Sequence, residues 1–238
     1  MSSNRQVSLI WLGHGTFIFT TPSGKKVLVD PWLEGNPLCP DEFKCPEPLE
    51  AVLITHGHFD HMGDALALAE RAQPQTIICS FEIAEWLKSK GIHQAVGMNK
   101  GGTVRVSDMK VTMVHAQHSS GITDGDRVVY GGEAAGFILE VDDGLAIYHA
   151  GDTNVFADMQ LIGQIYEPEL ALLPIGGHFT MGPREAAVAC RLLGVSRVIP
   201  MHYGTFPLLT GTPDELRAEL QTESPRCQVV TLDPGQGL

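Results

Sequence analysis

An α/β chain folded as a four-layer αββα sandwich is what two observations point to. In each half, short apolar strands come first and strand–helix alternation follows. No repeat or low-complexity segment interrupts that order, so two mixed sheets packed face to face, with helices outside, accommodate it. The chain has 238 residues. That length suits one domain spanning 1–238, built of two αβ halves at about 1–125 and 126–238.

The elements follow in order. Residues 7–12, 16–20 and 25–29 are apolar or β-branched runs, with Pro22-Ser23-Gly24 as a hairpin turn between the last two. Asp30-Pro31-Trp32 ends the third run, and a Pro-containing loop covers 34–48. A short strand at 51–55 precedes a helix at 64–72, a strand at 76–79 and a helix at 81–90 stopped by Gly91. Strands at 104–106 and 109–115 follow. In the second half, 135–141 and 145–149 flank Asp142-Asp143-Gly144, a hairpin signal. A helix at 155–162, a strand at 170–173 and a helix from Pro183 to Leu193, closed by Gly194, come next. The strand 198–201 leads to Thr212-Pro213-Asp214-Glu215, which caps the last helix, and 227–232 is the final strand.

Composition narrows the class. Hydrophobic residues make up 43% and charged residues 18%, ordinary for a globular protein. No apolar run reaches membrane-span length. Met1-Ser2-Ser3-Asn4-Arg5-Gln6 lacks an apolar signal core, so a cytoplasmic chain without a membrane partner is expected. Sixteen Lys and Arg against 28 acidic residues give a net charge of −12, which disfavours a nucleic-acid partner. Five irregularly spaced cysteines (Cys39, Cys45, Cys79, Cys190 and Cys227) read as reduced thiols, with no CxxC pattern to support a Cys39–Cys45 bridge.

The chemistry concentrates in Thr55-His56-Gly57-His58-Phe59-Asp60-His61. Four potential metal ligands in six positions make a poor core, because unpartnered imidazoles are costly to bury. Three more sites share one property with this cluster: His118, Asp152 and His202 each follow an apolar strand. Ligands gather at strand ends in α/β proteins because the loops there can converge. Seven candidate ligands exceed what one four-coordinate ion uses, so two metals are expected.

These residues resemble the metallo-β-lactamase superfamily. The resemblance rests on His56-Gly57-His58-Phe59-Asp60-His61, His118, Gly151-Asp152-Thr153 and His202, and runs from about residue 7 to 232. Trp11-Leu12-Gly13-His14, Leu173-Pro174-Ile175-Gly176-Gly177, Phe179-Thr180-Met181-Gly182-Pro183 and Pro200-Met201-His202-Tyr203 resemble a small prokaryotic group known only as metal-dependent hydrolases. The chain is also similar to ascorbate-6-phosphate lactonases and N-acylphosphatidylethanolamine phospholipases D. The resemblance implies that His56, His58 and His118 hold one divalent ion, that Asp60, His61 and His202 hold another, and that Asp152 bridges them. The expected ions are zinc, with manganese, iron and nickel compatible with the same ligands. Relatives often form homo-oligomers, so self-association is compatible with the resemblance.

The implied activity is hydrolysis by a metal-bridging hydroxide, whose pKa two divalent ions would lower. An ester-type bond in a small molecule is expected, with a phosphodiester or a lactone favoured by family analogy. Asp60 has a second expected role, orienting the nucleophile or moving a proton. His14 reads equally as a turn histidine bonded to backbone and as a contact with substrate or with a side chain that holds a metal. His178, after Gly176-Gly177, reads as a substrate contact and a proton donor to the leaving group. His149 is a candidate to orient a ligand, His115 and His93 read as structural or surface residues, and Tyr203 as a packing residue or an oxyanion contact. The loops at 34–48 and 119–133 are expected to shape the pocket. The competing readings are a nuclease, a flavin-linked di-iron redox protein and a non-catalytic metal-dependent sensor or assembly module. Di-iron relatives typically carry a carboxylate where this chain has His58, which favours hydrolysis.

Overall fold

A computed structural model describes residues 7–46, 48–141 and 145–238. The expected turn at Asp142-Asp143-Gly144 lies outside the described residues. The first sheet holds β1 (Ser8–Trp11), β2 (Phe17–Thr20), β3 (Lys26–Val29), β4 (Ala51–Leu53), β5 (Thr76–Ser80) and β6 (Ala95–Met98), side by side in that order. Its first three strands are antiparallel and the rest join in parallel. The helices α1 (Phe59–Met62), α2 (Ala65–Arg71) and α3 (Phe81–Ser89) connect the parallel strands.

The chain then enters the second sheet with β7 (Thr103–Val106) and β8 (Met109–His115), ahead of the division near residue 125 read from the sequence. A two-stranded ribbon of β9 (Gly121–Asp124) and β10 (Arg127–Tyr130) stands apart. The chain continues through β11 (Ala135–Val141), β12 (Ala146–His149), α4 (Met159–Tyr166), β13 (Leu170–Pro174), α5 (Pro183–Leu193), β14 (Arg197–Met201), α6 (Pro213–Glu223) and β15 (Gln228–Val229). The strand order of the second sheet is β15-β14-β13-β12-β11-β8-β7.

Alternation of side chains explains the layering. Phe17, Phe19, Val27, Val29, Ala51 and Leu53 share a central core with Met113, Phe137, Leu139 and Leu172 of the second sheet. The intervening Ile18, Leu28, Val52 and Ile54 pack on the other face, against Leu68 of α2 and Ile83 and Leu87 of α3. A sheet apolar on both faces must be covered twice, and that produces sheet-on-sheet packing with helices outside. On the far side, Met159, Ala186, Ala189, Leu216 and Leu220 bring α4, α5 and α6 onto the second sheet's core. The outer edge of β1 is closed by the C-terminal segment, where Leu9 N donates to Leu238 O at 3.1 Å and Leu238 N returns to Leu9 O at 2.8 Å.

The caps read from sequence are in place. Thr212 Oγ1 accepts from Glu215 N while Glu215 Oε2 accepts from Thr212 N at 2.9 Å, and Gly194 ends α5 at φ 70°. Two elements differ from expectation by more than two residues at an end. The helix placed at 155–162 starts later, because Asn154 is tied back to Gln117 through N to O at 3.1 Å and side chain to side chain at 3.2 Å. The final strand placed at 227–232 shrinks to two residues. Val230 N donates to Val198 O at 2.9 Å, and the next rung needs the N–H of residue 200, which is proline. β6 and the β9–β10 ribbon carry no clean apolar alternation and were not expected. Val128 and Tyr130 of the ribbon face solvent.

Among the described residues, no helix is long and apolar enough to cross a membrane. All five cysteines are free thiols. The sandwich places the C-terminal ends of β1, β4, β8, β12, β13 and β14 before the residues read as functional. Phe137, fully buried between the sheets, faces Met113 and His149 in register. Phe137→Ala should lower unfolding free energy by about 3–5 kcal/mol in a urea titration. A loss under about 1 kcal/mol would show that the two sheets do not pack through this ring.

Candidate metal centre

Four strand ends deliver the polar cluster. The segment after β4 supplies His56 and His58, and the single turn α1, closed by Met62 N to His58 O at 3.0 Å, adds Asp60 and His61. The segment after β8 supplies His118, that after β12 supplies Asp152, and that after β14 supplies His202. Three groups each bring their ligand atoms within 4.8 Å of one another: His56, His58 and His118; His56, His61 and Asp152; and His14, Asp60, His61 and His202. His56 and His61 are shared, so all seven residues read as ligands, together with His14, form one connected cluster.

Asp152 is the hub. Its Oδ2 lies 3.0 Å from His202 Nε2, 3.7 Å from His118 Nε2 and 3.9 Å from His56 Nε2, while Oδ1 lies 3.3 Å from His61 Nε2. Burial pushes the Asp152 pKa up, but His202 and His61 outweigh it and hold the carboxyl well below its usual range. Burial likewise favours neutral His56, whose pKa falls well below the ordinary value, and lowers those of His58 and His118. Neutral imidazole is the ligand form. His61 differs: burial disfavours its charge, yet Asp152 and Asp30 on either side raise its pKa well above 6.5.

Asp30 is a site residue that sequence reasoning missed. It sits in the left-handed region at φ 51°, fully buried, with Oδ2 2.7 Å from His61 Nδ1. Thr55 anchors it by donating N–H and Oγ–H to its two oxygens, each at 2.8 Å. A carboxylate behind one ring nitrogen fixes the tautomer and leaves the other for a ligand. Asp30 follows an apolar strand, as Asp152 and His202 nearly do, so the signal that found those residues was available for it.

His14 is fully buried at φ 55° with both ring nitrogens engaged: Nε2 lies 3.0 Å from Asp60 Oδ2, and Nδ1 lies 2.5 Å from Thr205 Oγ1. With both nitrogens engaged, His14 meets Asp60, one of the residues read as ligands, and stands behind the cavity lining. Burial drops the His14 pKa to about 3. Burial raises the Asp60 pKa, but the His14 hydrogen bond and the neighbouring His61 bring it to about 2. His178 is exposed at φ 50°, sets its ring edge against Phe179 and does not line the cavity over the cluster. His115 is exposed and meets Lys100 at 2.8 Å; Tyr203 stacks on Trp11.

His149 supports the Asp152 loop. Its Nε2–H donates to Gly15 O at 3.1 Å, and its Nδ1 accepts from Gly151 N at 3.2 Å. Gly151 adopts φ 60°, and a Cβ there would lie 2.7 Å from Ala135 O, so only glycine fits the turn that presents Asp152.

Above the cluster lies a cavity of about 590 Å³, floored by Asp60, Asp152 and His202 and walled by Phe59, Phe179 and Phe206. The described residues of the loop 34–48 do not line it. That loop is pinned elsewhere by Asn36, whose Nδ2 donates to the carbonyls of Leu12, Gly13 and Trp32, and it borders a separate cavity through Lys44 and Cys45. Ser119 and Thr123 of the loop 119–133 do line the main cavity, joined by Pro207 and Leu208, which the sequence did not single out.

The donor set fits divalent cations. His61 Nε2, Asp152 Oδ1 and His202 Nε2 are buried and make no hydrogen bond among the described residues. Buried polar atoms without partners are rare in folded proteins, and here three meet in one cluster of nitrogen and oxygen donors.

Residues 25–203 match the model of the beta-lactamase superfamily domain. The chain belongs to the beta-lactamase superfamily. Within that superfamily it is 50% identical over 230 residues to a UPF0173 metal-dependent hydrolase of Koribacter versatilis, covering 97% of each chain. It is 51% identical over 230 residues to another of that name from Solibacter usitatus, covering 97% of this chain and 98% of the relative. These identities make it a member of the UPF0173 metal-dependent hydrolases. Igni18, described as a metallo hydrolase from the archaeon Ignicoccus hospitalis, superposes with a TM-score of 0.84 at 37% identity, covering 98% of this chain and 97% of that one. The superfamily fold accounts for the convergence of strand ends described above.

Asp30→Ala should weaken zinc binding about 10- to 100-fold in competition with a chromophoric chelator. An unchanged affinity would show that the carboxylate only packs against His61. The pH response of His149 has a defined sign. Burial lowers its folded pKa below the 6.5 of the unfolded chain, so its stabilising contribution is complete above pH 6.5 and is lost as pH falls towards the folded value. The melting temperature of chelator-treated protein should therefore drop between pH 7 and pH 5, and less steeply in His149→Gln. Identical slopes would mean that His149 charges freely in the folded state.

Proposed function

We propose that this metal-dependent hydrolase is binuclear and cleaves an ester-type bond in a small molecule. The observation that carries the reading is Asp152, a buried carboxylate within 4 Å of His56, His118, His61 and His202 at once. His56, His58 and His118 would hold one divalent ion; Asp60, His61 and His202 the other; Asp152 would contact both. Imidazole nitrogens with carboxylate oxygens suit zinc, and manganese, iron and nickel accept the same donors. Bound there, the ions would lower the pKa of a shared water and polarise the substrate oxygen.

The chain's own side chains supply the remaining steps. Asp60 lines the cavity and stays ionised at neutral pH, so it can take a proton from the attacking water and pass it to the leaving group. His14 is its positioning residue, bridging Asp60 to Thr205. His61 lies between Asp30 and Asp152, whose carboxylates favour positive charge there, which a bound cation would supply. His178 stands outside the cavity lining and takes no part in this scheme. A cavity of about 590 Å³ matches the size of small-molecule sites.

Asp152→Ala and His58→Ala should lose metal and turnover together, read by elemental analysis beside an assay panel of chromogenic esters, lactones and phosphodiesters. Asp60→Asn should lower kcat about 10²- to 10⁴-fold, by more than it lowers metal content. Full turnover by Asp152→Ala would end the binuclear reading.

A further inference from the structure

Above its polar floor, the cavity is lined by apolar side chains. Phe59, Phe179, Phe206, Pro207 and Leu208 form the walls, and no lysine or arginine lies among the described lining residues. Phe59, Phe179 and Leu208 are 57%, 52% and 53% exposed. Large apolar side chains left this open and grouped at one cavity mark a binding surface. The wall is also held in shape. Phe206 stacks on the buried Trp32 at 5.7 Å, and Phe59 meets both Trp32 and Phe206 edge-on at 6.0 and 6.4 Å. His14, which holds Asp60, touches Trp32 and Phe206 in turn at 4.9 and 5.6 Å. The apolar wall and the proton-transfer carboxylate are therefore parts of one packed unit.

The lining's few polar groups other than its imidazoles and carboxylates are the hydroxyls of Ser119 and Thr123, and Ser119 Oγ already lies 3.2 Å from His58 Nε2. Away from the floor, a sugar, a nucleotide base or a second phosphate would find few donors and no cationic side chain in this lining. Resting on the hydrolase reading above, we propose that the substrate is a carboxylic ester or lactone with an apolar chain or ring beside the scissile carbonyl and no anionic group elsewhere. Hydrolysis adds the oxygen of one water to the acyl carbon and breaks its bond to the alkoxy oxygen. Asp60 carries one proton of that water to the departing alkoxide, so an ester gives an alcohol and a carboxylic acid and a lactone gives one hydroxy acid, and the acid ionises in solution. The apolar group lies against Phe59, Phe179, Phe206 and Leu208 and displaces water from the wall.

The test uses zinc-loaded full-length protein with p-nitrophenyl acetate, butyrate and hexanoate, mono-p-nitrophenyl adipate and bis-p-nitrophenyl phosphate. The expected kcat/KM rises about three- to fourfold per added methylene. The adipate monoester, a six-carbon acyl chain ending in a carboxylate, should fall at least about tenfold below the hexanoate, because its charge would be desolvated against the wall. Leu208→Ala, at an exposed position, and Phe206→Ala should both flatten the chain-length dependence. An activity-free measurement accompanies these: 2-butanone, 2-hexanone and 2-octanone, uncharged carbonyl compounds that cannot be hydrolysed, titrated into chelator-treated protein and followed by tryptophan fluorescence. Their Kd should fall with chain length, less so in Leu208→Ala. A flat or inverted ester profile, or turnover of the phosphodiester alone, overturns this inference and leaves the hydrolase reading standing. Silence across the whole panel by zinc-loaded protein overturns both.

Discussion

A carboxylate taken out of water costs several kcal/mol unless positive charge or strong donors replace its hydration. Asp152 is such a carboxylate, and the centre is arranged around meeting that demand. His61 and His202 flank it, Asp30 backs His61, and Thr55 ties down Asp30 with two hydrogen bonds. The result is a chain of partners from Thr55 to Asp152 in which each ring and carboxyl has little freedom. His61 Nε2, Asp152 Oδ1 and His202 Nε2 make no hydrogen bond among the described residues, a donor set that suits a divalent metal. The backbone bears strain for it: His14, Asp30 and His202 all occupy the left-handed region, where non-glycine residues are uncommon.

The second organising feature is the contrast between floor and walls. Charged and imidazole groups lie beneath a rim of phenylalanines, so a substrate that fills the cavity would exclude water from the reacting centre. Electrostatic interactions strengthen as the local dielectric falls. Trp32 links the two regions. Its ring supports Phe206 and His14, and its backbone N–H donates to Asp30 O at 2.9 Å. A change in the aromatic wall would thus be felt by Asp60 through His14 and by His61 through Asp30.

How much could be read in the chain beforehand varied with how local the cause was. The strands at Phe17–Thr20 and Ala135–Val141, the capping box at Thr212 and the stop at Gly194 were legible because each depends on residues a few positions apart. The start of α4 was not, since a contact from Asn154 to Gln117 decides it. The length of β15 depends on a proline in the neighbouring strand. Among site residues, the spacing of His56, His58, Asp60 and His61 in one motif announced metal chemistry. Asp30 stood in plain view after an apolar run and passed as a strand end. His14 was open to reading as a turn residue or as a contact with substrate or with a ligand side chain, but which side chain it meets was not legible, because its partners Asp60 and Thr205 are 46 and 191 residues away.

Residue type and spacing along the chain settled the class of architecture and the identity of the donor atoms, because periodic apolarity and ligand chemistry are properties of short segments. Which carboxylate stands behind which imidazole, and which phenylalanines close over the floor, emerged only on folding. Those pairings join strand ends and loops far apart in sequence, and the packing of the two sheets sets their distances.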